Sequence, residues 1–418
     1  MYENSEKHAL AATYDDVWLV AGVRTPFADY MSVLQDISPT DLGIHTARAL
    51  FRRSQVAPTD VDTIIAGNMA QSSFDAFYLP RHIGLYSGVP LGVPAVLVHR
   101  LCGTGFETIL SAADQIALGK VKLALCVGAE SMSRNPVAAY THRSGFRMGQ
   151  IEFKDFLWEA TLDTASKTRM GDTAENLAKR YKVTRDEVDR FAAESFARAN
   201  KAWDAGFYAD EVESVTSQQW PLDGYQPRSI RLPRKVEKFE RDEHVRPSPF
   251  EVLQKLRPAF GPDGVQTGGN SSAIVDGAAA ALVASGDYVR AHGLKPLARI
   301  VAGATVGVPP EIMGIGPAPA IRVLLKRNKL ALTDIARLEI NEAFGAQYLA
   351  VEKELELDRA RVNVNGGAIA IGHPLAASGV RLTTTAAREL QRIDAEFGIS
   401  SACAGGGQGV AILLQRAA

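Results

Sequence analysis

The chain has 418 residues, more than one ordinary hydrophobic core organises, so its length predicts roughly two to three domains. Hydrophobic residues are 46% and charged residues 22%, a globular composition rather than a fibrous or disordered one. The formal net charge of −1 gives no long-range attraction to nucleic acid or an anionic membrane, and no apolar run reaches membrane-span length.

The first residues, MYENSEKHALAATYDD, are polar and lack a signal-peptide core, and the closing QRAA matches no retention or peroxisomal signal. Three cysteines, Cys102, Cys126 and Cys403, predict reduced thiols in a cytoplasmic protein rather than a disulfide framework. No CxxC or HxxxH spacing points to a metal. Residues 1–14 read as a loose tail. A strand over 17–21 ends in the turn Arg24-Thr25-Pro26, and Asp41 is the expected cap of a helix carrying Leu42, Ile44, Ala47 and Leu50. Residues 63–66 read as the next strand. A short β-branched run at 95–98 then meets Leu101-Cys102-Gly103-Thr104-Gly105-Phe106, where the apolar spacing turns helical. Cys102 therefore falls at a helix N-terminus, where free N–H groups and the helix dipole favour a thiolate. Residues 122–128 form another strand, and the alternation predicts a mostly parallel sheet covered on both faces.

The second half of the chain repeats the first. Residues from Ala47 align without gaps on residues from Ile321, with identical pairs Arg48/Arg322, Leu50/Leu324, Arg53/Arg327, Thr59/Thr333 and Asp60/Asp334 at one spacing of 274. The same spacing lays Cys102-Gly-Thr-Gly on Ala376-Ala-Ser-Gly, each opening a helix. Two copies of one α/β unit are expected, packed with equivalent loops face to face. The division is a tail at 1–14, a first half at 15–135 with 262–287, an inserted loop domain at 136–261, and a second half at 288–418. The insertion carries two helix starts, at Thr173 and at the capping-box pattern Thr184-Arg-Asp-Glu, and is expected to lie over a shared site.

Three loops of the second copy carry chemistry: Asn341-Glu342-Ala343-Phe344 after a strand, Gly372-His373-Pro374 before a helix, and Cys403-Ala404-Gly405-Gly406-Gly407 before the last strand. Each alone is an ordinary turn. Together at strand ends, where open α/β sheets bind ligands, they supply two thiols, an imidazole, a carboxamide and backbone amides. That set suits acyl transfer through a thioester. Cys126 in its apolar strand, and His45 and His82, read as structural. The basic stretch 228–246 reads as a solvated loop, part of which could neutralise phosphates.

The ordered motifs RLCGTGF, MGDTAENLA, GGNSSAIVDGA, NEAF, NVNGGAIAIGHP and CAGGGQG make the chain resemble the thiolase family, the 3-ketoacyl-CoA thiolases and acetyl-CoA acetyltransferases, from about Val17 to the end. The resemblance implies a five-layered αβαβα fold with an inserted loop domain that holds coenzyme A, and a homodimer or homotetramer. Acyl-CoA and CoA are the implied partners, CoA being a substrate with no separate cofactor. Carried onto this sequence, the resemblance makes Cys102 the acyl-accepting nucleophile, His373 its proton acceptor and Cys403 the acid/base that protonates the acetyl-CoA enolate. Asn341 would hold a water that forms one oxyanion hole with His373, and the N–H groups of Cys102 and Gly405 would form another. Met170, Arg246, Phe260, Ser272, Ala343 and Phe344 match the family's CoA contacts, with Arg246 near the nucleotide and Ser272 along the pantetheine arm.

Four positions depart from the family pattern: His99 for Asn, Thr104 for Ser, Ala273 for Gly and Ala376 for Gly. Added bulk there is expected to favour short or unbranched acyl groups. The FYLPRHIGL segment and Leu157-Trp158 look closer to the degradative type. A cysteine hydrolase is disfavoured because no Asp or Asn orienter accompanies a papain-like order. A non-catalytic acyl-CoA-binding scaffold is disfavoured because Cys102, Asn341, His373 and Cys403 are all present.

Overall fold

The computed structural model describes residues 5–71, 74–140, 142–149 and 151–417, so the first four residues of the expected tail fall outside it. The first half runs β1 (Leu10–Thr13), β2 (Val17–Arg24), α1 (Pro39–Ser54), β3 (Thr63–Gly67), α2 (Leu79–Tyr86), β4 (Ala95–Val98), α3 (Thr104–Ala117) and β5 (Leu123–Glu130). The excursion that follows holds α4 (Met170–Tyr181) and α5 (Arg185–Asp204) among short hairpins. The chain returns as β6 (Val275–Ser285) and β7 (Ala298–Gly307), then α6 (Pro317–Asn328), β8 (Ile335–Ile340), α7 (Gly345–Leu355), α8 (Leu375–Ile393), β9 (Phe397–Ala404) and β10 (Gln408–Arg416).

Two sheets result, ordered β4-β3-β5-β6-β2 and β8-β9-β10-β7-β1, joined by a short β2–β7 pairing of Leu19 with Ala298 and Trp18 with Arg299. Three apolar clusters fill the spaces they define. Phe51, Leu50 and Ile83 lie under α1 and α2, Phe106, Ile109, Val380 and Leu390 lie between the sheets, and Leu324, Tyr348 and Phe191 lie beyond the second sheet. Helices outside, between and outside again make five layers, αβαβα.

The repeat is visible in the elements. The 274-residue spacing carries β5 onto β9 from end to end, and carries Gly105 of α3 onto Gly379 of α8. These two glycines meet at the crossing of the central helices: a Cβ on Gly105 would lie 2.6 Å from the Ala376 carbonyl oxygen and 2.8 Å from the Gly379 nitrogen. Real Cβ atoms do not approach backbone so closely, so the crossing requires glycine on both helices.

Three expectations change. The sheet is mixed: β3–β4, β3–β5 and β8–β9 are parallel, but β2, β6, β7 and β10 pair antiparallel. Strand β10 follows β9 through a short turn and so returns antiparallel to it, while β6 and β7, which run the same way, each pair antiparallel with β2 lying between them. Residues 10–13, expected in a loose tail, form β1 on the edge of β7. The cap of α1 is Ser38, whose hydroxyl accepts from the Thr40 N–H. Pro39 takes the first helical position, so Asp41 lies in the first turn, where its carboxylate pairs with Arg228 instead. The capping box at Thr184 and Glu187 forms as the sequence predicts.

The excursion does not hang free. Leu177, Val188 and Phe191 of α4 and α5 pack into the outer core of the second half, while Val215, Trp220 and Ile230 pack into that of the first. Buried Arg24 on β2 ties it down through Glu211 at 2.8 Å and Asp242 at 2.7 Å.

Candidate active site

The loop that carries Cys102 is a strained turn. Leu101 has φ +49°, a left-handed conformation that costs a branched residue free energy and persists only where neighbours enforce it. Thr104 does so: its Oγ1 accepts the Arg100 N–H at 2.9 Å and donates to the Leu101 carbonyl at 2.7 Å. Cys102 is thereby held just ahead of α3, with its side chain in the wall of a cavity of about 920 Å³.

His373, Gly405 and Leu375 from the second half line the same cavity, with Met69, Met132 and Leu157. The Gly405 N–H and the N–H of Cys102 itself point at the Cys102 sulfur and favour the thiolate. Burial outweighs them, and the thiol is pushed up to about 11. The helix start therefore does not by itself yield a resting thiolate, contrary to the sequence expectation, and a base must take the proton. Cys403 is fully buried one layer behind, packed with the cavity-lining Met313 and Ala343. Burial, and then the neighbouring Cys102, raise its pKa as well.

The imidazole of His373 is oriented at both nitrogens. Asn341 Nδ2 lies 3.3 Å from Nε2 and can only donate, so Nε2 accepts and the ring proton sits on Nδ1. That proton points to Ser378 Oγ at 2.6 Å, and Ser378 in turn donates to the Pro374 carbonyl at 3.3 Å. Burial, and secondarily Arg381, lower the imidazole to about 3, so the ring is neutral at working pH and its lone pair faces Asn341 and the cavity. Asn341 Oδ1 is buried without a partner, an acceptor open to a donor from a bound molecule. Ser378 had a readable signal: it lies in the first turn of the helix that His373 precedes, on the residues that align with the Cys102 loop.

The expected CoA-contact residues divide. Met170, Phe260, Ser272, Ala343 and Phe344 all line the cavity. Phe260 and Phe344 meet edge to face at 6.0 Å, and the Ser272 N–H bonds the Ala343 carbonyl at 3.1 Å, fixing that wall. Arg246 stands outside it, half-exposed, with its guanidinium 3.1 Å from Nδ1 of the cavity-lining His244. Of the four departures, only Ala273 lines the cavity. Thr104 and Ala376 are buried under its floor, and His99 turns its ring to the Met69 carbonyl at 3.1 Å. Bulk at those three positions does not narrow an acyl path, and the expectation built on it fails there.

Comparison with known proteins identifies the family. The Thiolase, N-terminal domain family matches residues 17–287 and the Thiolase, C-terminal domain family matches 294–416. The mitochondrial 3-ketoacyl-CoA thiolase of Pongo abelii is 44% identical over 96% of this chain and 98% of its own. Beta-ketothiolase BktB of Cupriavidus necator is 40% identical over 96% and 99%. The crystal structure of the human mitochondrial 3-ketoacyl-CoA thiolase in complex with CoA superposes with a TM-score of 0.90 at 43% identity, covering 96% of this chain and 98% of that one. With both domains matched in order and such relatives along nearly the whole length, the chain belongs to the thiolase family and is an acyltransferase.

Proposed function

We propose that the enzyme cleaves 3-ketoacyl-CoA with CoA by a ping-pong route through an acyl-Cys102 thioester, and runs the condensation in reverse. The observation that carries this reading is the convergence on one cavity of Cys102, His373 and Gly405, with the buried Cys403 neighbouring Cys102 and packed on the cavity-lining Met313 and Ala343.

The Cys102 thiol gives its proton to His373 Nε2, and its sulfur attacks the ketone carbon. The bond between the α and β carbons breaks, leaving the acyl group on Cys102 and a carbanion-like enolate of acetyl-CoA. Cys403 delivers its thiol proton to that carbon. Acetyl-CoA leaves and His373 returns its proton to the Cys403 thiolate. CoA then enters, passes its thiol proton to His373 Nε2 and attacks the acyl thioester, and Cys102 takes that proton as it is released. Negative charge on the thioester oxygens is met by the N–H groups of Cys102 and Gly405, and by a water held between Asn341 Oδ1 and His373. Each such donor contributes on the order of 10²–10³ in rate.

CoA is read as a substrate lying along Met170, Phe260, Ser272, Ala343 and Phe344, with Arg246 at the mouth for the nucleotide phosphates. The CoA complex of the human relative supports CoA as a ligand. The relatives named 3-ketoacyl-CoA thiolase support the degradative direction, fatty acid β-oxidation. A homodimer or homotetramer in a reducing compartment, the cytoplasm in the first instance, completes the reading; the mammalian relatives are named mitochondrial.

The test is to incubate the protein with acetoacetyl-CoA, with and without CoA, following substrate loss and protein mass. A transferase gives acetyl-CoA and a transient acetyl group on Cys102. Release of free acetoacetate would mark a hydrolase, and no change at all would mark a binder.

A further inference from the structure

The mechanism divides its groups between two sheets, and something must hold those sheets in register at the site. One buried carboxylate touches both. Glu130, the last residue of β5, is fully buried, and among the described residues no salt bridge pairs it with a cation. It accepts four hydrogen bonds instead. Oε1 takes Asn68 Nδ2 at 2.7 Å and the Ala70 N–H at 3.0 Å; Oε2 takes the Met69 N–H at 3.2 Å and the Ala376 N–H at 3.0 Å. The first three donors belong to the loop after β3 in the first half. The fourth is an otherwise free N–H in the first turn of α8, in the second half, three residues beyond His373.

We propose that Glu130 is a positioning residue, a carboxylate clamp that fixes the start of α8, and with it His373, against the half that carries Cys102. This rests on the acyl-Cys102 mechanism above. The residue type follows from the donors. Four N–H groups converge on two oxygens, and only an ionised carboxylate offers acceptors alone on both. Glutamine would turn an NH2 toward two of the donors, and aspartate, one methylene shorter, would reach one half but not both. The same four bonds place Met69 and Leu375, both in the cavity wall, on either side of the clamp.

The carboxylate is also a charge close to the nucleophile, and it acts to raise the Cys102 thiol. Burial pushes Glu130 itself up to about 7, opposed by the N–H groups of Ala70, Ala376 and Met69 and reinforced by Asp276. The other ionisable groups beside this pair are Asp276 on β6, which acts on Glu130, and Cys403 on β9, which neighbours Cys102; Arg381 on α8 acts on His373. Arg100 is turned away to Glu107 at 2.6 Å.

Glu130→Gln and Glu130→Asp test the clamp in the full-length enzyme, by steady-state thiolysis of acetoacetyl-CoA and by the pH dependence of Cys102 alkylation with iodoacetamide. Glu130→Gln is expected to lose about 100-fold in kcat with KM for CoA little changed, the cost of a misplaced reacting group. Its alkylation profile moves to lower pH, because a negative charge beside the sulfur is gone. Glu130→Asp keeps the charge and the wild-type alkylation profile but loses kcat, because it cannot span both halves. It also carries the test if the glutamine variant does not fold. Wild-type kcat in the folded variants would overturn the clamp, as would a kcat loss in Glu130→Gln with no alkylation shift. A wild-type enzyme that forms no acyl-Cys102 would instead overturn the mechanism beneath it.

Discussion

The two halves of the molecule share one backbone plan and differ in what they carry on it. Equivalent loops open α3 and α8, yet the first presents the Cys102 thiol to the cavity and the second, at the aligned Ala376, presents an N–H group to Glu130. Equivalent strands β5 and β9 end at aligned positions, and there the first has Ala129-Glu130 while the second has Cys403-Ala404. Duplication thus supplied two copies of a helix start and two copies of a strand end. Reaction and support were then assigned in opposite senses to each pair. The Cys102 thiol comes from the first half, while the His373 imidazole, the Asn341 carboxamide and the Cys403 thiol come from the other.

The sharpest way to break this comparison is to remove one thiol at a time. Cys102→Ala should abolish every acyl transfer, a loss on the order of 10⁴-fold or more, with no acetyl mass on the protein. Cys403→Ala should still take an acetyl group from acetyl-CoA and exchange it with labelled CoA, while cleavage of acetoacetyl-CoA stops. Equal loss of exchange in both variants would show that the two thiols do not divide the work as described.

A smaller effect probes the seam between the halves. Gly379→Ala forces a Cβ into backbone at the crossing of α3 and α8, where neither chain can move aside cheaply. A destabilisation of about 1–3 kcal/mol is expected from urea denaturation. Unchanged stability would mean the crossing is looser than it stands here.

A further effect is in acid. His373 at about 3 and His45 at about 4 are both held neutral, chiefly by burial. Below pH 6.5 the unfolded chain takes up protons that the native state refuses, so stability is full above that pH and falls as the pH drops toward 4. Urea midpoints from pH 7 to pH 4 should decline, and His45→Gln should flatten part of the decline without touching the site. A decline as steep in His45→Gln as in the wild type would contradict the burial of that ring, since the raised carboxylates Glu130 and Glu339, which act the other way, are common to both proteins.

Much of this was legible in the chain because it is local. Cys102 before a helical spacing, His373 before Pro374 and the glycines after Cys403 are short patterns, and the 274-residue repeat placed their loops together. What escaped was nonlocal. Strand β1 pairs with residues nearly three hundred positions away, and nothing within its four residues announces a partner. The direction of β6 is set by a long return, and those of β7 and β10 by which strand each pairs with, rather than by composition. Glu130 left one trace, a lone charge closing the apolar run Leu123–Ala129, but its four donors lie on two distant loops. Arg246 shows the reverse: a basic residue in a basic stretch, placed at the rim rather than in the wall.

The glycine pair at the central crossing has a bearing on recombination. Because Gly105 and Gly379 each make room for the other's main chain, neither half sets its spacing alone. Chimaeras that join one half of this enzyme to the complementary half of a relative should assemble only when both donors bring their glycine to that point. Even a catalytically complete graft that lacks one of them would splay its reacting groups apart.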